Sequence, residues 1–92
     1  MTLSWMPIEA EWGLAYVAEA GKLRVRVYKP NGHDRGYHYR VTPRFNPLLV
    51  IYDSATDKYC HGYRTPTAAK IAAALWEMRK RRAERNAMQV SP

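Results

Sequence analysis

The segment from Thr65 to Arg85, TPTAAKIAAALWEMRKRRAER, constrains the fold most, because it is the only long helical pattern in the chain. Thr65 can cap a helix, Pro66 suits its first position, and the alanine-rich run that follows has a high helix propensity. The sequence therefore predicts one helix over residues 65–86 and a tail over residues 87–92.

The predicted helix changes its chemistry halfway along. Its first half repeats apolar residues at three- and four-residue steps, so one broad apolar side is expected to be buried. That side comprises Ala68, Ala69, Ile71, Ala72, Ala73, Leu75, Trp76 and Met78. The second half is cationic nearly all round, with Arg79, Lys80, Arg81, Arg82 and Arg85. These charges fit either a solvated helix end, favoured by the helix dipole and a Glu77–Arg81 pair, or a surface that binds an anion.

Upstream of the helix the hydrophobic period changes to two, which is typical of strands. Residues 14–19 and 23–28 predict a hairpin that turns at Ala20-Gly21-Lys22, and residues 37–42 predict a third strand. The run LLVIY over residues 48–52 is apolar on both faces, so it predicts the central or best-buried strand. Residues 58–64 predict a weaker final strand that leads into the helix.

Together these patterns predict a single α+β domain over residues 1–92. An antiparallel meander of four or five strands occupies residues 14–64, and the front half of the helix packs on one of its faces. Residues 1–13 fit either an irregular arm or a short helical turn that begins at Pro7. Trp5 and Trp12 are expected to cover an edge of the core.

The charge balance indicates a polyanionic partner. The 92 residues contain 15 Lys and Arg against 8 Asp and Glu, which gives a formal net charge of +7. Such a charge favours nucleic acid, an anionic membrane surface or an acidic protein as the partner. The sequence shows no apolar run of signal-peptide or transmembrane character, and Cys60 is its single cysteine. We therefore expect a cytoplasmic protein, in the bacterial host cytoplasm if a phage encodes it.

Catalytic chemistry has little support in the sequence. Cys60 and His61 are neighbours on a predicted strand, so their side chains point to opposite faces and cannot act together as nucleophile and base. A metal site could in principle use these two residues together with His33, Asp34 and His38. However, no pair among the five has the spacing of a zinc site. No glycine-rich phosphate loop precedes the helix. We expect no enzyme activity, no metal, no cofactor, no membrane partner and no small-molecule substrate.

The strongest functional pattern is a set of cations and aromatic rings on the predicted strands. Guanidinium groups bind phosphates and base edges, and aromatic rings stack on bases. If the second and third strands pair, one face carries Arg24, Arg26, Tyr28, His38, Arg40 and Arg44, and Lys29 and Arg35 extend it from the connecting loop. These residues also fit the polar outer face that any solvated sheet needs, but the absence of acids among them favours binding. The helix cations Arg79, Lys80, Arg82 and Arg85 form a second candidate set.

One segment, YCHGYRTPTAAKIAAALWEM, resembles the last strand and helix of AP2-type and phage-integrase arm-binding domains. In those domains a short strand leads through a threonine into an alanine-rich helix that packs on a three-stranded sheet. This resemblance covers about a quarter of the chain. It implies that Arg24, Arg26 and Arg40 enter a DNA groove, in transcription or recombination.

The whole chain resembles the small phage-encoded anti-CRISPR proteins that act on the type I-F surveillance complex. The likeness rests on length, on the meander segments WGLAYVAEAGKLRVRVYK, YHYRVTPR and LLVIYD, and on the closing helix. It implies a stoichiometric inhibitor that docks on Cas backbone subunits and contacts the guide RNA, so that target DNA cannot hybridise. A cationic sheet face suits exposed guide RNA, which is a polyanion with unstacked bases.

Overall fold

The computed structural model describes residues 3–10, 13–30 and 36–90, which form one antiparallel sheet and one long helix packed on it. The elements are β1 (Met6–Ala10), β2 (Gly13–Ala20), β3 (Leu23–Tyr28), β4 (His38–Pro43), β5 (Tyr52–Asp53), a 3-10 turn (Ser54–Thr56) and α1 (Pro66–Val90). The strands lie in the sheet in chain order, β1-β2-β3-β4-β5. This confirms the predicted α+β meander with a closing helix.

The hairpin of β2 and β3 follows the prediction. Ala20 pairs with Leu23, and the turn between them places Gly21 at a φ of 60°, a conformation that glycine adopts without steric cost. Across the ladders Val25 lies opposite Ala18 and Val41, whereas Arg26 lies opposite Val17 and Arg40. Alternate residues of β3 therefore point to opposite sides of the sheet, and the valines point to the helix.

The core forms where α1 crosses the middle of the sheet. Its buried members are Val25, Val27, Tyr39 and Val41 from the sheet and Ala69 and Ala73 from the helix. Trp76 is half-buried beside this cluster and stacks on Tyr52, with ring centroids 5.8 Å apart. Trp5 also packs against the cluster, as predicted, whereas Trp12 lies outside the described residues.

The helix begins where the sequence predicts and ends later than predicted. Thr65 Oγ1 accepts a hydrogen bond of 3.1 Å from the backbone N–H of Ala68, and Pro66 is the first helical residue. The helix then runs to Val90, so the prediction of a tail from residue 87 was wrong. The reason is local, because no glycine or second proline interrupts the segment before that point.

Only part of the predicted apolar side of α1 faces the sheet. Ala69 and Ala73 are completely buried, whereas Ile71, Leu75 and Met78 are 58%, 44% and 49% exposed. The sheet supplies bulky tyrosine rings at this contact, so alanines let the helix approach while larger aliphatic side chains would not fit. The expected burial of Ile71, Leu75 and Met78 was therefore wrong.

Along the described ranges, no helix is both long and apolar enough to cross a membrane.

The apolar run LLVIY is not the central strand. Only Tyr52 of this run belongs to a strand, the two-residue β5 at the sheet edge, and Leu48 is 91% exposed. Two turns, at residues 44–45 and 47–48, keep the chain from extending beside β4 until Ile51 donates a 2.8 Å hydrogen bond to the carbonyl of Val41. Continuous apolar sequence therefore marks an exposed loop here.

Two more segments differ from the prediction. Residues 6–10 form β1, which pairs with β2, so they are neither an irregular arm nor a helical turn. Pro7 is tolerated there because an edge strand does not need every N–H for the ladder. Residues 58–64 contain no strand but one bridge, in which Tyr37 and Tyr63 exchange backbone hydrogen bonds of 2.7 and 2.9 Å. A Cβ at Gly36 would lie 2.9 Å from the Tyr63 carbonyl, so this close approach requires glycine.

Candidate nucleic-acid interface

The sheet presents a group of arginines on the side away from α1. Arg24 lies opposite Thr42, Arg26 opposite Arg40 and Tyr28 opposite His38, so these side chains share one face. Arg44 joins them through an ion pair to Glu19, the cross-strand neighbour of Arg24. We name this surface the arginine face and define it as Arg24, Arg26, Tyr28, Arg40 and Arg44. The predicted grouping of these residues follows from the observed register.

Glu19 lies within this face, although the set of residues predicted for binding contains no acid. Its carboxylate pairs with Arg24 at 3.2 Å and with Arg44 at 2.9 Å. All three side chains are about two-fifths exposed, so these pairs contribute little to stability. The hairpin turn carried the signal for this contact, because a turn at Gly21-Lys22 makes Glu19 the partner of Arg24.

Asp53 is the second acid of the face and its best-bonded group. It is 6% exposed and accepts hydrogen bonds from Tyr28 Oη at 2.7 Å, Arg40 Nε at 2.8 Å and the backbone N–H of Ala55 at 3.0 Å. Burial alone would raise the pKa of Asp53, but these bonds outweigh it and hold that pKa below its ordinary value. Burial and the bond to Asp53 raise the pKa of Tyr28 to about 12. Asp53 is therefore ionised and Tyr28 protonated at neutral pH.

Tyr28 is less available for stacking than the sequence indicates. The guanidinium of Arg40 lies 5.0 Å from the centre of the Tyr28 ring, in a cation–π contact. The hydroxyl of Tyr28 is at the same time committed to Asp53. Arg40 thus covers the ring, and planar guanidinium groups, rather than the tyrosine ring, are what this part of the face offers to a ligand.

Arg26 differs from its neighbours because no acid in the described part of the chain pairs with it. It makes no ion pair with any residue in the described ranges, and its buried Nε has no hydrogen-bond partner there. It stands directly opposite Arg40, and like charges in that position destabilise a sheet. Among the described residues of this face, four arginines stand against two carboxylates, Glu19 and Asp53, which leaves two positive charges unbalanced.

His38 belongs to the interior. It is 1% exposed, and its Nδ1 lies 2.8 Å from Ser54 Oγ, which also accepts a 3.0 Å hydrogen bond from the backbone N–H of Tyr39. The 3-10 turn that follows β5 therefore encloses this histidine. The prediction of a partner-facing histidine was wrong, because the pattern of alternation gave no sign that residues 53–54 fold back over it.

Of the two predicted loop cations, Lys29 does not extend the arginine face. The Lys29 Nζ lies 5.8 Å from the centre of the Tyr37 ring, and that ring packs against the core on the helix side of the sheet. Lys29 is thus directed away from the arginines. Arg35 lies outside the described residues.

The cations at the end of the helix occupy the opposite layer of the molecule. Arg79, Arg82 and Arg85 are exposed, and Lys80 lies with its Nζ 5.4 Å from the Trp76 ring. Because α1 covers the other face of the sheet, these residues do not share a surface with the arginine face. The structure therefore separates the arginine face from the cations at the end of the helix.

The described part of the chain offers no obvious reactive centre. Within it, no group of three or more His, Cys, Asp and Glu side chains is placed to hold a metal ion. Cys60 is half-buried and His61 is exposed. His33 and Asp34, the other residues considered for such a site, lie outside the described ranges.

Comparisons with protein-family models, curated proteins and solved structures found no match to this chain. The two family resemblances noted in the sequence therefore remain predictions.

Proposed function

We propose that the arginine face binds an anionic surface of a ribonucleoprotein, and that the protein is a stoichiometric inhibitor of the type I-F surveillance complex. The observation that carries this proposal is Arg26, which lies opposite Arg40 and pairs with no carboxylate among the residues that the structure describes. A phosphate bound there would supply the missing negative charge and relieve the repulsion between the two guanidinium groups. No nucleophile is needed for this role, which is binding and not catalysis.

Exposed guide RNA fits the face better than a long stretch of duplex. Its two unbalanced charges suit a contact with few phosphates, whereas a duplex reader neutralises many. Guanidinium planes stack on unpaired bases and bind their edges, and a surveillance complex presents guide RNA in that state. Contacts to Cas backbone subunits would place the protein where it blocks hybridisation of target DNA.

A DNA-binding module is the second candidate function. The alternation of Arg24 and Arg26 on β3 beside Arg40 on β4 resembles a β-ribbon whose side chains read a groove. The pairing of Arg24 with Glu19 and of Arg40 with Asp53 weighs against it, because these guanidinium groups already have partners. Arg26 alone is a weak basis for reading a base sequence.

The test is capture of purified type I-F surveillance complex by the tagged protein, with target-DNA binding measured in the same sample. We expect stable capture, loss of target-DNA binding, and about tenfold weaker capture by Arg26→Ala. Arg64→Ala is the matched control, because it removes the same charge from an exposed residue in the segment before α1.

Each alternative gives a different result in parallel gel shifts with duplex and single-stranded DNA. A sequence-dependent duplex shift without capture of the complex would favour the DNA-binding module. Equal losses for Arg26→Ala and Arg64→Ala would mean that only net charge matters, and the arginine face would then not be the site. No capture and no shift would refute both functions.

A further inference from the structure

The outward side of α1 carries large apolar side chains that nothing in the described chain covers. Ile71, Leu75 and Met78 are spaced by four and three residues, so they stand in one row along the helix. They are 58%, 44% and 49% exposed, while the alanines on the opposite side are buried. Packing within the fold does not account for this row, because the small residues make the contact with the sheet.

The row continues into cations along the same side. Arg82 follows Met78 by four residues and Arg85 follows Arg82 by three, which keeps both on the outward side of the helix. Along the helix axis Met78 and Arg82 are about 6 Å apart. We define the outer helix row as Ile71, Leu75, Met78, Arg82 and Arg85. Its first three residues are apolar and its last two are cationic.

No acid interrupts this row between Ile71 and Arg85. The two glutamates of this stretch, Glu77 and Glu84, lie on the other side of the helix and line a cavity of about 420 Å³ beside the β2–β3 turn. Glu77 is 8% exposed and pairs with Arg81 at 2.5 Å. Arg82 and Arg85 make no ion pair with any residue that the structure describes.

A small cleft lies at the junction of the apolar and cationic parts. Its volume is about 170 Å³, and Met78, Arg81, Arg82 and Arg85 line it. A carboxylate entering this cleft would meet guanidinium groups on one side and the thioether of Met78 on the other.

We propose that the outer helix row binds a protein surface on which an apolar patch is followed by carboxylates. The charge pattern favours this occupant, because the row has cations without acids and an apolar stretch directly beside them. Nucleic acid supplies phosphates but no apolar patch for Ile71 and Leu75. A second copy of the chain supplies an apolar row but brings further arginines, and no carboxylate from the same row for the cleft.

A lipid surface fits the row less well than a protein does. Helices that lie on membranes separate their apolar and cationic residues onto different sides along the whole length. Here both kinds occupy one side in succession, so burying Leu75 and Met78 in the acyl layer would draw Arg82 and Arg85 in with them. A protein surface can vary along the helix axis in the way this row requires.

The proposal does not depend on the proposed function. The outer helix row is on the layer opposite the arginine face, and its binding needs no nucleic acid. An assay free of nucleic acid therefore tests the row alone, and its failure leaves the arginine face untouched.

The probe is a fluorescent helical peptide with leucines at two consecutive turns and glutamates on the same side of the next two turns. A second version places the glutamates before the leucines. A matched peptide carries glutamine in place of each glutamate. Fluorescence anisotropy should show that one of the two glutamate peptides binds the wild-type protein about tenfold more tightly than its glutamine counterpart. Amide chemical shifts should change around residues 71–85.

Variants of the protein locate the contact. Leu75→Asp and Arg82→Ala should each weaken the acidic peptide by about tenfold. Ala83→Asp is the control for Leu75→Asp, since it introduces the same charge at an exposed residue off the row and should leave the affinity within about twofold of that of the wild type. The melting temperature of each variant establishes that the fold is retained.

Several results would overturn the proposal. These are equal affinity for the two peptides, no binding of either peptide, or loss of affinity in Ala83→Asp as large as in Leu75→Asp. Leu75-dependent binding to phosphatidylserine-containing vesicles, without peptide binding, would identify a lipid surface instead. Leu75-dependent self-association in light scattering would identify a second copy of the chain.

Discussion

The arginine face and the outer helix row are both cationic and both point to solvent, but their charges are held in different ways. On the sheet, Glu19 and Asp53 bind three of the four arginines, and Asp53 is buried. On the helix, Arg82 and Arg85 form no ion pair with any acid among the described residues. The sheet arginines are therefore partly structural, whereas the helix arginines are available to a partner. Net charge alone does not reveal this difference.

This difference predicts where substitutions change stability. A buried carboxylate that bonds three donors stabilises the folded state, because its removal leaves those donors without an acceptor. An exposed arginine or leucine with no partner contributes little to the free energy of unfolding. Changes at Asp53 and Arg40 should alter folding as well as binding, while changes in the outer helix row should alter binding alone.

Among the charged residues, the largest effect is expected for Asp53→Asn. The change removes the charge that Arg40 Nε and Tyr28 Oη both contact, in a residue that is almost fully buried. We expect the free energy of unfolding to fall by about 2 kcal/mol in urea denaturation. Asp57→Asn is the matched control and should cost less, because the Asp57 carboxylate is more exposed. Equal effects at the two positions would contradict the structural role of Asp53.

The pH dependence of stability sharpens the same point. The folded-state pKa of Asp53 lies below its ordinary value, so its stabilisation is fully present above about pH 4 and is lost as the pH falls through the folded-state pKa. Asp57 shifts in the same direction, through hydrogen bonds from Tyr59 and Tyr52. Thermal unfolding at a series of acidic pH values should show a shallower decline in Asp53→Asn than in the wild type. Parallel curves would mean that Asp53 does not account for acid sensitivity.

The facing arginines provide a smaller and opposite pair of effects. Arg40→Gln should lower the free energy of unfolding by about 1 kcal/mol, because it takes a charged donor from Asp53. Arg26→Gln should leave it unchanged or raise it by about 0.5 kcal/mol, because it removes a like charge opposite Arg40. Urea denaturation of both variants tests the contrast. A destabilised Arg26→Gln would show that Arg26 has a structural partner of its own.

The sequence predicted the strand pairing of the arginine face better than its electrostatics. Val25 and Val27 alternate with arginines on β3, and a hairpin turn at Gly21 fixes the register, so local pattern was enough to group Arg24, Arg26 and Arg40. The position of Asp53, and the contact of Ser54 with His38, depend on β5 being only two residues long. The strand is short because the turns at residues 44–45 and 47–48 precede it and because it lies at the sheet edge. The hydrophobic pattern of the sequence does not encode these features.

The helix shows a second limit of pattern. Both sides of its first half are apolar, so periodicity identifies the helix but not the side that is buried. The bulk already supplied by Tyr39 and Tyr52 decides the choice, because only alanines leave room for those rings. A prediction from the sequence would need the shape of the sheet before it could place Ile71 and Leu75.

The smallest effect is expected for Leu75→Ser, on the outer helix row. Leucine to serine in a buried position costs several kcal/mol, but Leu75 is 44% exposed and the fold does not depend on its contacts. We expect a change within about 0.5 kcal/mol in urea denaturation. Trp76→Ala, one residue further on, should instead cost about 3 kcal/mol, because it removes the ring that stacks on Tyr52. If Leu75→Ser destabilised the protein as much as Trp76→Ala, the outward side of the helix would be part of the core, and the outer helix row would have no surface to offer a partner.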